Sequence, residues 1–497
     1  AVDVVDLAQP LQDAPQTGDT FAGDAATDPE EPPFQFPSGR LDGQNEEFRT
    51  VWVAIWDGIS AYNTVDQNRA LCDAVMNNIK SANMNAVMWH VRRAGTVYYP
   101  SSLEPWGSSV GHSDPGFDPL AYAIEQAHAR GLEVHAWFNV FQATDTIAGS
   151  PAGEHPEWIC RDQTGAPMTS NIALSPGLPA VRQHLIDVAM EVVNNYDIDG
   201  LHLDYVRWNE TTGPNGAYLY DAQHPYANGV PSGFSSWAEW RRWSVTEFVS
   251  QLHAEIQSVK PHVRLSAAVL GKYNWSGWQA YGSVYQDAAL WFNQGFVEQL
   301  MPMHYHWTSG PEFADMLADG CPECWHDYLQ PGISAGRLFV VGPGSYKLSD
   351  FSAHTGIVGD SRAVGPWIDG FAFFSYSSWR ENNYWSVAAN TFFARKAKIR
   401  SLVLDPPHRP TAPICSLASL GGARYRLNVQ ATQTGSAERF IIYRSEGASI
   451  DPIAGDTIID IRFGKAAVSI DLPADEPAGA RYYATAIDRF WTESIPC

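Results

Sequence analysis

A chain of 497 residues, 45% of them hydrophobic, has apolar material for one large domain and a small one. Its net charge of −23 excludes nucleic acid as a natural partner, because polyanions need clustered Lys and Arg. No run approaches the roughly 20 apolar residues of a membrane span. Aromatic residues reach 12%, with 19 tryptophans, against only 18% charged residues, a balance that suits both sugar-binding surfaces and large α/β cores.

The first 48 residues are rich in Asp, Glu, Pro, Gly, Ala and Thr, without periodic apolar positions, and read as a disordered acidic leader or tether. The opening "AVDVVDLAQP" reads as a mature or trimmed N-terminus. From Arg49 to about Asp405 a short apolar run, a loop and an amphipathic stretch recur. The strands are predicted at 50–56, 85–91, 132–140, 198–206, 264–270, 296–305, 337–342 and 370–376. Among the helices between them are 66–83, 117–130, 178–195 and a tryptophan-rich one near 236–258. Eight alternating units imply a closed (β/α)8 TIM barrel over 49–405. A doubly wound sheet is the runner-up, but no Gly-rich phosphate fingerprint follows the first strand. After the Pro-rich joint "DPPHRPTAP", the segments "RYRLNVQA", "RFIIYRSE", "AAVSIDL" and "ARYYATAID" alternate with period two. They predict a small all-β sandwich over 406–497 that resembles a fibronectin type III-like module.

Six cysteines allow disulfides. Cys415 and Cys497 bracket the sandwich and are expected to staple its ends, while Cys321 and Cys324 in "CPEC" are expected to form a local bridge. Such bridges would place the protein in an oxidising compartment: secreted, periplasmic or on a bacterial cell surface.

In a barrel, chemistry gathers at the C-terminal strand ends. Those ends read Asp57; His90, Arg92 and Arg93; His135, Trp137 and Asn139; His202, Asp204, Tyr205, Arg207 and Trp208. They continue with Lys272 and Tyr273; His304, Tyr305, His306 and Trp307; Tyr346 and Lys347; and Tyr376, Trp379 and Arg380. In "DIDGLHLDYVRW", alternation puts Gly200, His202 and Asp204 on the barrel side and Leu201 and Leu203 toward the helices. Asp197 and Asp199, at the strand entrance, are expected to cap or bond turns.

The segments "VWVAIWDG", "WHVRRAGTVYYPSSLEPWG", "GFDPLAYAIEQAHARGLEVHAWFNV", "HPEW", "LSPGLPAVRQHLIDVAMEVVNNYDIDGLHLDYVRW" and "QLMPMHYHW" together resemble the glycosyl-hydrolase-10-like family of bacterial barrel proteins. The resemblance runs from about Arg49 into the eighth strand and implies a glycan hydrolase whose key carboxylate ends the fourth strand, at Asp204. Related barrels often hold a second carboxylate at the end of the sixth strand. Here that place reads Met303, His304, Tyr305 and His306, with no acid. Glu210 and Asp57 are therefore the candidates for the second carboxylate, with Glu312 a third.

Glycoside hydrolysis asks for an acid on the leaving oxygen and a carboxylate at the oxocarbenium-like centre. Asp204 is expected to be the ionised nucleophile or base, held by Arg207 or a histidine, with Glu210 or Asp57 the acid. Trp137, Trp208, Trp307 and Trp379 would stack on sugars, and Arg92, Asn139, His135 and His304 would bond hydroxyls or an anionic group. His202, Tyr205, Lys272, Tyr273, His306 and Tyr376 complete the expected lining. The cations at this mouth favour a carboxylated, sulfated or N-acylated polysaccharide or oligosaccharide, and no cofactor is expected. Two other readings stand beside this one. His90, His135, His202 and His304 could converge on Zn²⁺ in a metal-dependent hydrolase or deacetylase, or the barrel could bind glycan without cleaving it.

Overall fold

The computed structural model describes residues 45–318, 324–401, 409–422, 424–433, 435, 437–445, 452, 457–472 and 481–497. Nearly all of the expected leader, residues 405–408 of the Pro-rich joint and Cys321 lie outside them. Every described residue belongs to one compact unit.

Eight apolar runs form the parallel strands β1 (Phe48–Val53), β2 (Ala86–Arg93), β3 (Glu133–Asn139), β4 (Gly200–Asp204), β5 (Arg264–Leu270), β6 (Gln299–His304), β7 (Leu338–Pro343) and β8 (Ile368–Phe373). Each pairs with its neighbour in chain order, and β1 pairs with both β2 and β8, so the sheet closes into a TIM barrel. Its strands are covered on both faces, which is why they read as apolar runs rather than as alternating stretches. Side-chain polarity starts the helices between them. Thr64 and Gln67 make a reciprocal capping box, and the Asp118 carboxylate accepts from the backbone N–H of Leu120 and Ala121.

Alternation sorts the strand residues. Val51, Val87, Leu201, Leu203, Leu265 and Leu300 pack outward among the helices, while Trp52, Met88, Trp137, Ala268, Met301 and Val340 fill the barrel. Gly200 is required at its position: a Cβ there would lie 2.2 Å from Nδ1 of His135. Two local events depart from the sequence expectation. The first strand ends at Val53, and Ile55–Gly58 turns into a short helix. In β2 the register against β3 slips between His90 and Arg92, so His90 faces Trp137 and Arg92 faces Phe138. That bulge reverses the side on which the following residues point.

The C-terminal strands are β9 (Ile414–Gly421), β10 (Arg424–Gln430), β11 (Arg439–Ser445), β12 (Thr457–Phe463), β13 (Ala467–Asp471) and β14 (Arg481–Ile487). They make two antiparallel sheets, ordered β9-β10-β13 and β12-β11-β14. Leu427 and Val429 of one pack against Phe440, Ile442, Ala484 and Ala486 of the other. A disulfide joins Cys415 to Cys497.

The other face of β11 is turned to the barrel floor. Period two puts Arg439, Ile441 and Tyr443 on that face, opposite Phe440 and Ile442. Ile441, Tyr443, Ile458, Ile461, Tyr483, Ile487 and Trp491 share one apolar cluster with Phe48, Ala86 and Leu338 of the barrel. Within it Arg439 bonds both Asp199 and Glu133, Arg264 also bonds Glu133, and Trp491 Nε1 donates to Glu133. Burial pushes the Asp199 carboxyl up, but His128 and Arg439 outweigh it and hold the group below its ordinary value. Asp197 pairs with Arg489, and Lys398 with Glu493. The two early aspartates of the fourth-strand motif are thus anchors for the C-terminal sheets.

Removing one partner of a buried ion pair leaves an uncompensated charge, a loss of about 3 kcal/mol or more. Arg439→Ala is therefore expected to lower stability by about 3 kcal/mol in urea unfolding, whereas Arg426→Ala, in an exposed pair with Asp471, should change it little.

Candidate active site

Asp204 ends β4 and is buried at the barrel mouth. Nε1 of Trp137 donates to its Oδ2 at 3.2 Å, and the backbone N–H of Tyr205 donates to its Oδ1 at 2.7 Å. Tyr205 reaches that position through a left-handed backbone, φ 49°, a conformation uncommon for a non-glycine residue and found where the surroundings impose it. Burial raises the pKa of Asp204, opposed by the Arg207 charge and the two N–H donors. The Glu210 charge, close enough to be felt, adds to the rise.

Arg207 is buried, its guanidinium lies 4.7 Å from the Tyr205 ring, and Nε donates to Glu210 at 3.3 Å. Tyr205, Arg207 and Glu210, with Phe141, Gln142 and Asn171, line a cavity of about 240 Å³ beside Asp204. Glu210 is about half exposed, its side chain at 46%. Across the mouth, His90 stacks on Trp137 with centroids 3.9 Å apart, and Phe374 meets Trp137 edge-on at 6.4 Å. Tyr305 packs against Phe374 at 5.5 Å and Tyr346 at 5.7 Å, and burial followed by the Asp204 charge drives its hydroxyl pKa well up. Beneath Asp204, Trp52 Nε1 donates to Nε2 of His202 at 2.9 Å, so the neutral ring carries its proton on Nδ1, toward Ser266 Oγ at 2.9 Å. Burial pushes His90 down to about 3 and His135 to about 4, and takes His202 well below its usual range. The interior histidines are neutral supports.

Of the residues expected from sequence, Asp204, Trp137, Tyr205, Arg207 and Glu210 come together, with Asn139 paired in register beside Asp204 and His202 below it. Lys272, His306 and the half-buried Trp307 lie on the rim. Others are elsewhere. Arg92, displaced by the bulge, is fully buried in a bidentate pair with Glu104, at 2.6 and 2.7 Å. His135 lies at the floor against Glu133, not at the mouth. Asp57 sits on the short helix after β1, its carboxylate taken by Ser377 at 2.6 Å and Arg380 at 2.8 Å. Glu312 completes a helix capping box with Ser309.

Trp208 is buried with Nε1 on Ser244 and Arg241, and Trp379 is buried with Nε1 on Ser345, so neither offers a face to a sugar. Tyr273 bonds Asp287, and Tyr376 accepts from Asn78 in the helical layer. His304 turns outward among Phe313, Trp325 and Phe339. Its Nδ1 accepts from the Gly342 N–H. With His304 outward, His135 at the floor and both His202 nitrogens bonded, the four histidines considered for zinc do not converge. Among the described residues no three His, Cys, Asp or Glu side chains gather as metal ligands.

Tyr305, Phe374 and Arg93 are the lining residues to which sequence reading gave no role. Continuing the inward series Met301, Met303 would have indicated Tyr305, and Ala372 would have indicated Phe374. Arg93 faces the mouth, 5.5 Å from the Trp56 ring, only because of the bulge, for which the sequence carries no signal.

The profile of the family described as "Glycosyl hydrolase-like 10" matches residues 47–332. Among curated proteins, the glycosyl hydrolase YngK of Bacillus subtilis (strain 168) is 29% identical over 304 residues, covering 55% of this chain and 57% of that protein. The glycosyl hydrolase DigH of Escherichia coli (strain K12) is 26% identical over 357 residues, covering 63% of this chain and 76% of the relative. Among solved structures, the PgaB (BpsB) glycoside hydrolase domain from Bordetella bronchiseptica superposes over 71% of this chain and 100% of that one, with 15% identity and a TM-score of 0.48.

Because its folded-state pKa is raised, Asp204 lowers stability once the pH exceeds the ordinary carboxylate value, where the unfolded chain holds fewer protons than the folded one. Asp204→Asn should therefore melt above the wild type at pH 7, with the gap closing as pH falls toward 4, read by calorimetry at each pH.

Proposed function

Since the chain belongs to the glycosyl hydrolase-like 10 family, we propose that it hydrolyses glycosidic bonds in a polysaccharide or cell-envelope glycan at the mouth built around Asp204. The observation that carries this reading is a buried carboxyl with a raised pKa that feels the charge of a second carboxylate, Glu210, in the cavity next to it. A raised pKa suits a proton donor, so Asp204 takes the general-acid role rather than that of nucleophile or base. It protonates the leaving oxygen, and the anion it becomes is received by Trp137 Nε1, the Tyr205 N–H and the Arg207 charge. Those donors strengthen as charge develops, which is where binding contributes to rate.

Glu210, oriented by Arg207, supports attack on the sugar carbon. Trp137, Tyr305 and Phe374 form the apolar wall against which a sugar ring rests. Asp57, already bonded to Ser377 and Arg380, ties the β1 and β8 loops together and takes no part in proton transfer. The Cys415–Cys497 disulfide supports an oxidising, extracytoplasmic location. The C-terminal sheets, in this reading a fibronectin type III-like module, serve the barrel as its floor. No helix of the described residues is long and apolar enough to cross a membrane.

The test is release of reducing ends from a polysaccharide panel that includes stripped peptidoglycan strands. Asp204→Asn is expected to lose about 10²–10⁴-fold in turnover while remaining folded, and near-normal activity would overturn the assignment. Glu210→Gln should lose turnover in the same range, whereas Asp57→Asn should keep kcat within a few-fold. Retention of polysaccharide without new reducing ends from the wild type would make this a binding protein instead.

A further inference from the structure

The mouth has a second chemical feature, away from Asp204. Lys272 follows β5, His306 follows β6, and Lys347 closes the 3-10 turn Ser345–Lys347 after β7. The three strands are adjacent and in register, Leu270 with Met303 and Pro343 with His304, so their C-terminal loops share one arc of the rim. In a protein with 55 acidic and 32 basic residues, a surface cation is expected to find a carboxylate. Glu47, Asp57, Glu104, Asp199, Asp369 and Glu493 are each taken by arginine or lysine. The side chains of Lys272, His306 and Lys347 make no ion pair or hydrogen bond among the described residues.

Beyond their shared place on the rim, both lysines act on His306. Burial lowers the His306 pKa, and the Lys272 and Lys347 charges lower it further, so both lysines lie within its field. Concentrating like charge with no counter-ion costs free energy. The arc also continues into the site. The Lys347 ammonium is 5.8 Å from the Tyr346 ring, Tyr346 packs on Tyr305, and Tyr305 feels the charge of Asp204. Tyr346 is 53% exposed, and Trp278, in the loop that carries Lys272, is 45% exposed. Flat exposed aromatic faces beside unpaired cations match a sugar ring bearing an anionic group.

Resting on the hydrolase reading above, we propose that the Lys272–His306–Lys347 arc binds a carboxylate or sulfate substituent of the glycan, so that the substrate is an anionic polysaccharide. The charge of the whole protein sharpens the test. At −23 it repels polyanions in general, so retention by one requires a local cationic site.

Dextran, carboxymethyl dextran and dextran sulfate share one neutral backbone and differ in charge, and affinity electrophoresis of the full chain in each measures binding without turnover. At least one charged polymer is expected to retard the protein where dextran does not, and which one names the group. The double variant Lys272→Ala with Lys347→Ala should weaken that retardation at least tenfold, with its circular dichroism unchanged, and added salt should weaken it in the wild type. Equal mobility of the wild type in all three polymers, or a double variant that binds as the wild type does, would overturn the proposal. Because affinity electrophoresis reads binding and reducing-end release reads turnover, failure of the anion site and failure of the hydrolase reading are separate results.

Discussion

Glu133 and Asp199 are carboxylates buried beneath a barrel, and their burial requires the partners they hold, Arg264 and Arg439 for Glu133, His128 and Arg439 for Asp199. Much of the architecture follows from that requirement. Arg439 belongs to the C-terminal sheets, so the barrel floor is completed by a second set of strands. The face of β11 that carries Arg439 also carries Ile441 and Tyr443, which extend the barrel's own apolar interior downward. Charge neutralisation and hydrophobic burial therefore select the same docking geometry, and each would be weaker alone.

The floor also shapes what lies above it. His135 bonds Glu133 and occupies the space over Gly200, where any side chain would collide with it. His202 stands one layer higher, its tautomer held by Trp52 and Ser266, and the stacked pair His90 and Trp137 closes the layer beneath the mouth. The histidines are held neutral by burial, so the interior polar column carries no net charge to disturb Asp204. Asp204 is left with N–H donors on both oxygens, one nearby cation and little water. Burial raises its carboxyl pKa, while the donors and the cation keep its anion receivable.

Chemistry and recognition divide around the mouth. The β3 and β4 ends supply Trp137, Asp204, Arg207 and Glu210, where proton transfer takes place in the proposed reaction. The β5 and β7 ends supply lysines that are unpaired among the described residues, with exposed rings beside them, and the β6 end supplies His306, which suit the holding of a polymer. Tyr305, Tyr346 and Phe374 join the two regions as one aromatic wall. An arrangement in which distant parts of a substrate are held firmly allows that binding to be used at the reacting bond.

The barrel was legible in the sequence because strands covered on both faces must be continuous apolar runs, and eight of them alternate with amphipathic stretches. Period two likewise separated Leu201 and Leu203 from His202 and Asp204, whereas Asp197 and Asp199, expected at the strand entrance to cap or bond turns, are paired with Arg489 and Arg439. What sequence could not determine was the partner of each polar side chain. Arg92 and Arg93 are adjacent, and only a one-residue slip of β2 against β3 decides which is buried on Glu104 and which faces the mouth. Asp57 looked like a strand-end acid until the chain turned helical two residues past Val53 and delivered it to Arg380. Trp208 and Trp379 could be counted but not oriented, and burial placed both in the helical layer. Periodicity is a local property carried by the sequence itself, whereas the identity of a contact depends on residues hundreds of positions away, and only the closed tertiary structure brings those together.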